Sequence, residues 1–210
     1  MSQKFILFVE GYTEAAGLSG FLKRWLDARL DAPVGIDVVR FEGWSDLVRD
    51  AKKKANLYLT SSKQSEIIAV IGLIDLYGVT LYPDDISTVK ERYDWLKKDI
   101  EDKVAQERYR QFFAVHETEA WFLASLSDFP TEVRKALEKK AAHPERVNFD
   151  TPPAKLLEAT FSRELKRDYK KVTEARNRFP KLDPELVAAK CPYLQEMLEE
   201  LLKLAQEARQ

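Results

Sequence analysis

Four short apolar segments of this chain are each followed by a segment with the periodicity of an amphipathic helix, and this alternation limits the possible folds most strongly. The apolar segments are rich in β-branched and aromatic residues, which is typical of buried strands. They lie at residues 5–9, 36–41, 66–75 and 112–115. Strands that alternate with helices predict a mainly parallel four-stranded sheet flanked by helices, which is an α/β fold.

The predicted helices connect these strands. The first covers residues 13–30, where apolar residues recur at helical spacing. The second is predicted to begin with a cap at Ser45 and to end near residue 59. A third lies around residues 89–100, and a fourth begins near Glu119.

Beyond residue 126 the alternation stops, and helical segments separated by prolines continue to the end. We therefore predict an α/β domain over residues 1–126 and a helical C-terminal extension over residues 127–210 that packs on it. In the last segment, an apolar stripe that includes Leu194, Met197 and Leu201 is typical of core packing, and a partner surface is the alternative.

Composition and missing motifs exclude several classes of protein. The net charge of −1 provides no global positive field, which argues against a protein that passively coats nucleic acid. The single cysteine, Cys191, excludes an internal disulfide and a Cys-rich zinc site. The sequence contains neither GxxxxGK[ST] nor GxGxxG, so neither an NTPase nor a dinucleotide-binding enzyme is supported. With no signal peptide or membrane span predicted, we expect a soluble, cytoplasmic protein.

Carboxylates follow three of the four predicted strands: Glu10, Asp75, and Glu117 or Glu119. The carboxyl ends of parallel strands meet at one edge of a sheet, where ligands bind in such folds. Crowded carboxylates repel one another unless a cation neutralises them, and hard oxygen ligands suit Mg²⁺ or Mn²⁺. The pattern therefore favours a metal site at this edge.

An ordinary structural interpretation stays open for the same residues. Glu10 and Gly11 suit a strand-to-helix turn, Thr13 is a possible helix cap, and Glu14 suits the positive end of a helix. On that interpretation Asp75 is a loop acid.

Several short motifs carry a family resemblance. They are VEGYTE (9–14), IDLYG (74–78), HETEA (116–120), PERVN (144–148), PAK (153–155), YKK (169–171) and CPY (191–193). In this order they resemble the TOPRIM arrangement of topoisomerases, primases, recombination proteins and overcoming-lysogenization-defect nucleases. More specifically, the chain resembles a TOPRIM-like bacterial family, domain of unknown function 4276.

The resemblance implies a Mg²⁺-dependent site for phosphodiester chemistry, with Mn²⁺ as the alternative ion. It implies that Glu10 is a general base or acid and a possible metal ligand, and that Asp75 is the first acid of an Asp-x-Asp pair. Tyr77 stands where the second Asp is expected. Glu117, Glu119 or a water molecule must then complete the ligand set, and Glu119 is the favoured catalytic acid.

Lysines in the second half are candidates for binding a nucleic-acid backbone. Lys155, Lys170 and Lys171 match lysines of the family motifs, and the latter two lie in the basic segment RELKRDYKKVTEARNR. A solvated helix face is the alternative interpretation of that segment.

Two functional hypotheses follow. The first is a metal-dependent nuclease, with DNA a more plausible substrate than RNA, that works with an ATPase partner in phage defence, as the resemblance implies. The second is a non-catalytic subunit that binds nucleic acid or a partner through a degenerate metal site. The substitution by Tyr77 favours the second, and the acids at three strand ends favour the first.

Overall fold

The computed structural model describes residues 3–147 and 151–209, so Asn148 of the PERVN motif lies outside the described residues. Its four strands are β1 (Lys4–Val9), β2 (Gly35–Arg40), β3 (Ile67–Asp75) and β4 (Tyr109–Ala114). They form one sheet in the order β2-β1-β3-β4, and every pairing is parallel. The predicted α/β fold with a four-stranded parallel sheet is therefore confirmed.

Helices connect and follow the strands. They are α1 (Tyr12–Ala15), α2 (Leu18–Asp27), α3 (Trp44–Leu59), α4 (Val89–Val104), α5 (Glu119–Ala124), α6 (Thr131–Ala141), α7 (Pro153–Leu165), α8 (Lys171–Arg178), α9 (Pro184–Lys190) and α10 (Pro192–Glu207). Short 3₁₀ turns occupy Gln64–Glu66, Leu126–Asp128 and Pro144–Arg146.

The sheet is covered on both faces because successive side chains of its strands point in opposite directions. In β1, Phe5 and Leu7 join one buried cluster, whereas Ile6 and Phe8 join another. The first cluster also contains apolar side chains of α2, α5 and α10, and the second contains those of α3 and α4.

Two local predictions about the helices were wrong. The segment predicted as one helix over residues 13–30 is divided into α1 and α2 around Gly17. Gly17 packs against Phe179, since a Cβ at this position would lie 2.7 Å from the Phe179 Cβ. Ser45 does not cap α3, because the cap position is Gly43, whose φ of 109° favours glycine.

The helices after residue 126 pack on those before it. Phe161 and Phe179 share a core with Trp121, and the apolar residues of α10, including Leu198, are buried in the same cluster. The last stripe is thus core, as its pattern predicts. The division of the chain at residue 126 stays a prediction. Within the described residues, no helix has both the length and the apolar character to span a membrane.

Candidate metal centre

The acids predicted from the strand ends meet at the carboxyl edge of the sheet. Glu10 directly follows β1, Asp75 ends β3, and Glu117 lies three residues beyond β4. Because β1, β3 and β4 are parallel neighbours, their ends bring together residues that are distant along the chain. The amide of Gly43 holds the Glu10 carbonyl oxygen at 2.8 Å, which ties the start of α3 to this edge.

Asp75, Glu117 and Glu119 form the centre of the cluster. Each offers a carboxylate oxygen, and these oxygens all lie within 4.8 Å of one another. The Thr118 amide donates to Asp75 Oδ1 at 3.0 Å, which fixes the link between β4 and α5 against the end of β3. Oxygens on one Mg²⁺ are at most about 4.2 Å apart, given bonds of about 2.1 Å. Adjacent oxygens on the same ion are closer still, at about 3.0 Å, so the three acids would bind one divalent cation after a local adjustment of their side chains.

Glu119 carries the clearest sign of a cation site. Its side chain is 1% exposed, and neither carboxylate oxygen has a hydrogen-bond partner among the described residues. Burial raises the pKa of Glu119 to about 7, with the charge of Lys171 acting in the opposite direction. A buried carboxylate without hydrogen bonds is unfavourable unless a cation accompanies it. The donor set therefore fits a divalent cation.

Glu10 lies beside this trio and outside it. Its Oε2 atom is buried and has no hydrogen-bond partner within the described parts of the chain. Burial, followed by the charge of Glu14, raises the pKa of Glu10 to about 8, while a backbone hydrogen bond from Asp75 opposes the rise. Burial and the charge of Glu10 also raise the pKa of Asp75 well above its usual value. The acids at the carboxyl edge of the sheet thus bring more negative charge than neighbouring positive groups neutralise.

Glu14 is the acid that sequence reasoning did not assign to the site. It is 4% exposed, and the Thr118 hydroxyl donates to its Oε1 atom at 3.2 Å. Burial raises the pKa of Glu14. The pattern of a helix-terminal acid predicts exposure, whereas the single turn α1 directs Glu14 inward, four residues after Glu10. In the sequence, the signal that could have identified Glu14 was its position as the second acid of the VEGYTE motif.

Lys171 places a positive charge next to two acids of the cluster. Its Nζ atom lies 3.1 Å from Glu117 Oε1 and 3.7 Å from Glu119 Oε1. Burial alone would lower the pKa of Lys171. The combined charges of nearby carboxylates, chiefly those of Glu119 and Glu117, outweigh burial and raise the pKa, so the ammonium group stays charged. The residue predicted to bind a nucleic-acid backbone therefore lies against the candidate metal ligands Glu117 and Glu119.

The other two predicted lysines lie elsewhere. Lys155, in the first turn of α7, and Lys170, just before α8, are both exposed. The α7 helix also fixes Glu117, because the Ala154 amide donates to Glu117 Oε2 at 2.9 Å. The C-terminal extension thus supplies both a cation and a backbone donor to the acidic edge.

Tyr77, which stands where a second Asp is expected, continues from the end of β3. Its backbone amide donates to the carbonyl of His116 at 2.9 Å, and its side chain is half-buried. Burial lowers the pKa of His116 to about 4, so its imidazole is neutral at pH 7. Among the described residues, the residues grouped closely enough to hold a metal ion are acids alone.

The sequence model of the family described as domain of unknown function (DUF4276) matches residues 9–202. This chain belongs to the DUF4276 family. The match includes every acid of the centre as well as Lys171. Among curated proteins, none matches this DUF4276 chain.

Solved structures of OLD proteins are similar to this DUF4276 protein. The C-terminal region of the Xanthomonas campestris pv. campestris OLD protein, phased with platinum, is 17% identical with a TM-score of 0.46, covering 99% of this chain and 96% of that one. The iodine-phased structure of that region is 19% identical with a TM-score of 0.45 and coverages of 100% and 99%. The C-terminal region of the Burkholderia pseudomallei OLD protein is 17% identical with a TM-score of 0.42 and coverages of 92% and 98%.

Proposed function

We propose that this DUF4276 protein is a TOPRIM-type nuclease that hydrolyses phosphodiester bonds of nucleic acid with a divalent cation, Mg²⁺ or Mn²⁺. The observation that carries the proposal is the convergence of Asp75, Glu117 and Glu119, with both oxygens of Glu119 buried and without a hydrogen bond among the described residues. DNA is the preferred substrate class, and cytoplasmic phage defence with an ATPase partner is the biological setting that the motif resemblance suggests.

The three acids of the centre would hold the cation. When bound, a divalent cation supplies Lewis-acid stabilisation of a phosphoryl oxygen and acidifies a coordinated water molecule. Asp75 is kept in place by the Thr118 amide, and Glu117 is kept in place by the Ala154 amide, so two of the three ligands are positioned by backbone donors. Such positioning reduces the rearrangement that binding requires.

Glu10 is the candidate for proton transfer. It lies at the rim of the trio, next to the backbone of Asp75. A carboxylate in this position can orient an attacking water molecule and accept its proton at a carboxylate oxygen. We assign Glu10 this role, and we assign Asp75 and Glu119 to holding the metal ion at the reacting phosphate.

Lys171 has a different role from the one its motif suggests. Its ammonium group balances the charge of Glu117 and Glu119 when no cation is bound. A positive charge within reach of the ligands would also stabilise the negative charge that develops on the phosphate during hydrolysis. We therefore assign Lys171 to the reacting phosphate, with Lys155 and Lys170 left as candidates for contacts along the backbone.

A non-catalytic binding subunit is the second candidate function. It is favoured by Tyr77 at the position of the second Asp and by Lys171, which already partly neutralises two of the acids. The replacement of one carboxylate makes a single-metal site the better-supported arrangement, with Glu117 and Glu119 both contributing. A binding subunit would retain affinity for nucleic acid and lack metal-dependent hydrolysis.

Digestion assays distinguish these candidates. Purified protein is incubated with single- and double-stranded DNA and RNA, with Mg²⁺, Mn²⁺ or EDTA, and with or without a candidate ATPase. We expect metal-dependent cleavage by the wild type and none by Glu10→Gln, which retains substrate binding. Equal cleavage by both proteins would indicate a contaminant. No cleavage under any condition, together with no metal binding by calorimetry, would favour the binding subunit.

A further inference from the structure

A second concave site lies beside the acidic edge. It is a pocket of about 580 Å³, which is within the usual size range of small-molecule sites. Its lining includes His116, His143, Arg146, Lys190 and Tyr193. We refer to it as the His116 pocket.

The position of the His116 pocket follows from the topology. His116 immediately precedes Glu117, so one wall of the pocket is continuous with the metal ligands. Val89, another lining residue, begins α4, which follows β3 and therefore starts near the carboxyl edge of the sheet. The pocket and the acidic cluster thus share one edge of the molecule.

The charge of the His116 pocket is the opposite of the charge of the acidic cluster. Arg146 and His143 are exposed and make no ion pair among the described residues, and Lys190 is anchored by a 2.8 Å bond to the Ala124 carbonyl. The acid Glu145 also lines the pocket. It accepts hydrogen bonds from the backbone amides of Tyr193 and Leu194 at 3.1 and 3.4 Å, so its charge is directed to the start of α10. Anions are therefore favoured here and disfavoured at the acidic cluster.

Aromatic surface accompanies these cations. Tyr193 is half-buried and packs against Tyr93 with ring centroids 4.7 Å apart, which holds the ring in one orientation. The buried His116 also lines this pocket. Fixed aromatic rings next to cationic side chains are the features by which proteins hold single-stranded nucleic acids, through base stacking and phosphate contacts.

A neighbouring basic depression extends this surface. It shares His143 and Arg146 with the pocket and adds Lys139 and Lys140, at the end of α6. Both lysines are exposed, and neither has an ion pair within the described ranges. Together, the two concavities form a positively charged path that leads to the residue preceding Glu117.

We propose that the His116 pocket binds one nucleotide of a single-stranded nucleic acid, with its base against Tyr193 and its phosphates near Arg146 and Lys190. This proposal rests on the proposed nuclease function and specifies its substrate as a strand with an unpaired nucleotide beside the metal centre. The strand then approaches along Lys139 and Lys140. The exposed Lys155 and Lys170 do not line this path and contribute less to binding than its residues do.

Binding measured without divalent metal tests the pocket separately from cleavage. A fluorescent hexanucleotide is titrated with protein in EDTA, and anisotropy gives the Kd. Arg146→Ala and the pocket-filling change Ala189→Trp are each expected to raise the Kd about tenfold, the loss that follows from removing one stacked or ion-paired nucleotide contact. Both positions are exposed, so melting temperatures should stay near that of the wild type.

The matched control is Lys53→Ala, which removes an exposed positive charge from α3 and should change the Kd by less than about twofold. Ala142→Trp fills the same pocket from another wall if Ala189→Trp fails to fold. Unchanged affinity in the pocket variants would overturn the proposal. It would also be overturned if the wild type bound no hexanucleotide, or if it bound a mononucleotide as tightly. Oligonucleotide binding without any cleavage would support the pocket while contradicting the proposed hydrolysis.

A photo-crosslink locates the bound base directly. A hexanucleotide containing 5-bromouracil is irradiated with the wild-type protein, and the modified peptide is identified by mass spectrometry. We expect the crosslink at Tyr193, the half-buried aromatic residue of the pocket. Crosslinks confined to α3 or to the surroundings of Lys155 would overturn the assignment.

Discussion

Two regions of this DUF4276 protein bury several charged groups, and they do so in opposite ways. In the C-terminal extension, Arg178 donates twice to Glu174 Oε2, at 3.1 and 2.8 Å, and Arg167 donates to Glu174 Oε1 at 3.0 Å. The Arg178 guanidinium also lies 3.4 Å from the centre of the Phe129 ring. Every charge of this cluster therefore faces a partner.

The acidic edge has no such balance. Asp75, Glu117 and Glu119, together with Glu10 and Glu14, gather near the ammonium group of Lys171. A buried ion pair that is fully hydrogen-bonded has a structural role, whereas uncompensated buried acids store unfavourable energy that a ligand can relieve. The difference between the two regions is thus the physical basis for assigning function to one of them.

The largest effect on stability is expected in the paired region. Arg178→Ala leaves Glu174 buried with only the half-exposed Arg167, and breaking a buried pair in this way costs about 3–5 kcal/mol of the free energy of unfolding. Urea denaturation followed by circular dichroism measures this loss. Arg176→Ala, at an exposed position of the same helix, serves as the control and should stay within about 0.5 kcal/mol of the wild type. Similar losses in both variants would mean that the pairing is unimportant.

The second effect concerns metal binding at the acidic edge. Mn²⁺ at about a hundredfold excess over its Kd should raise the free energy of unfolding of the wild type by about 2.7 kcal/mol. Asp75→Asn keeps an oxygen for the Thr118 amide and loses the charge, so this increase should disappear. Thermal denaturation with Mn²⁺ and with EDTA provides the comparison. A full Mn²⁺ response in Asp75→Asn would remove Asp75 from the ligand set.

A smaller effect is expected when the acids are examined without metal. Glu119→Gln removes a buried charge that has no hydrogen bond within the described residues, so the metal-free protein should gain about 1 kcal/mol at pH 8. Asp75→Asn should likewise be as stable as the wild type or slightly more stable. Denaturant titration in EDTA measures both variants. A clear loss of stability would show that these acids are structural, as Glu174 is.

The smallest effect on stability is expected for exposed charges, which belong to neither region. Lys155→Ala and Lys170→Ala should each change the free energy of unfolding by less than about 0.5 kcal/mol. If these lysines contact phosphates, each variant should release about one counterion fewer when it binds nucleic acid. Its affinity should then fall less steeply as the salt concentration rises. Measuring the Kd at several salt concentrations tests this. An unchanged salt dependence would assign both lysines to the solvated surface.

The fold follows largely from local sequence patterns. Continuous apolar residues in β1 and β3 predict the strands, because such runs match burial on both faces of a parallel sheet. The break between α1 and α2 was missed because its cause is remote in sequence: Gly17 accommodates Phe179. The Gly43 cap was missed because a positive φ has no signature other than glycine itself.

The sequence by itself predicted that acids at the strand ends meet, since parallel strands must end at the same edge and Glu10 and Asp75 lie at strand ends, with Glu117 and Glu119 as alternatives for the third. Only the tertiary structure decided what surrounds them. Glu14 turns inward on a single helical turn, and Lys171 arrives from a helix that begins more than fifty residues after Glu117. Burial and charge balance depend on contacts between distant segments, and no local pattern encodes those contacts.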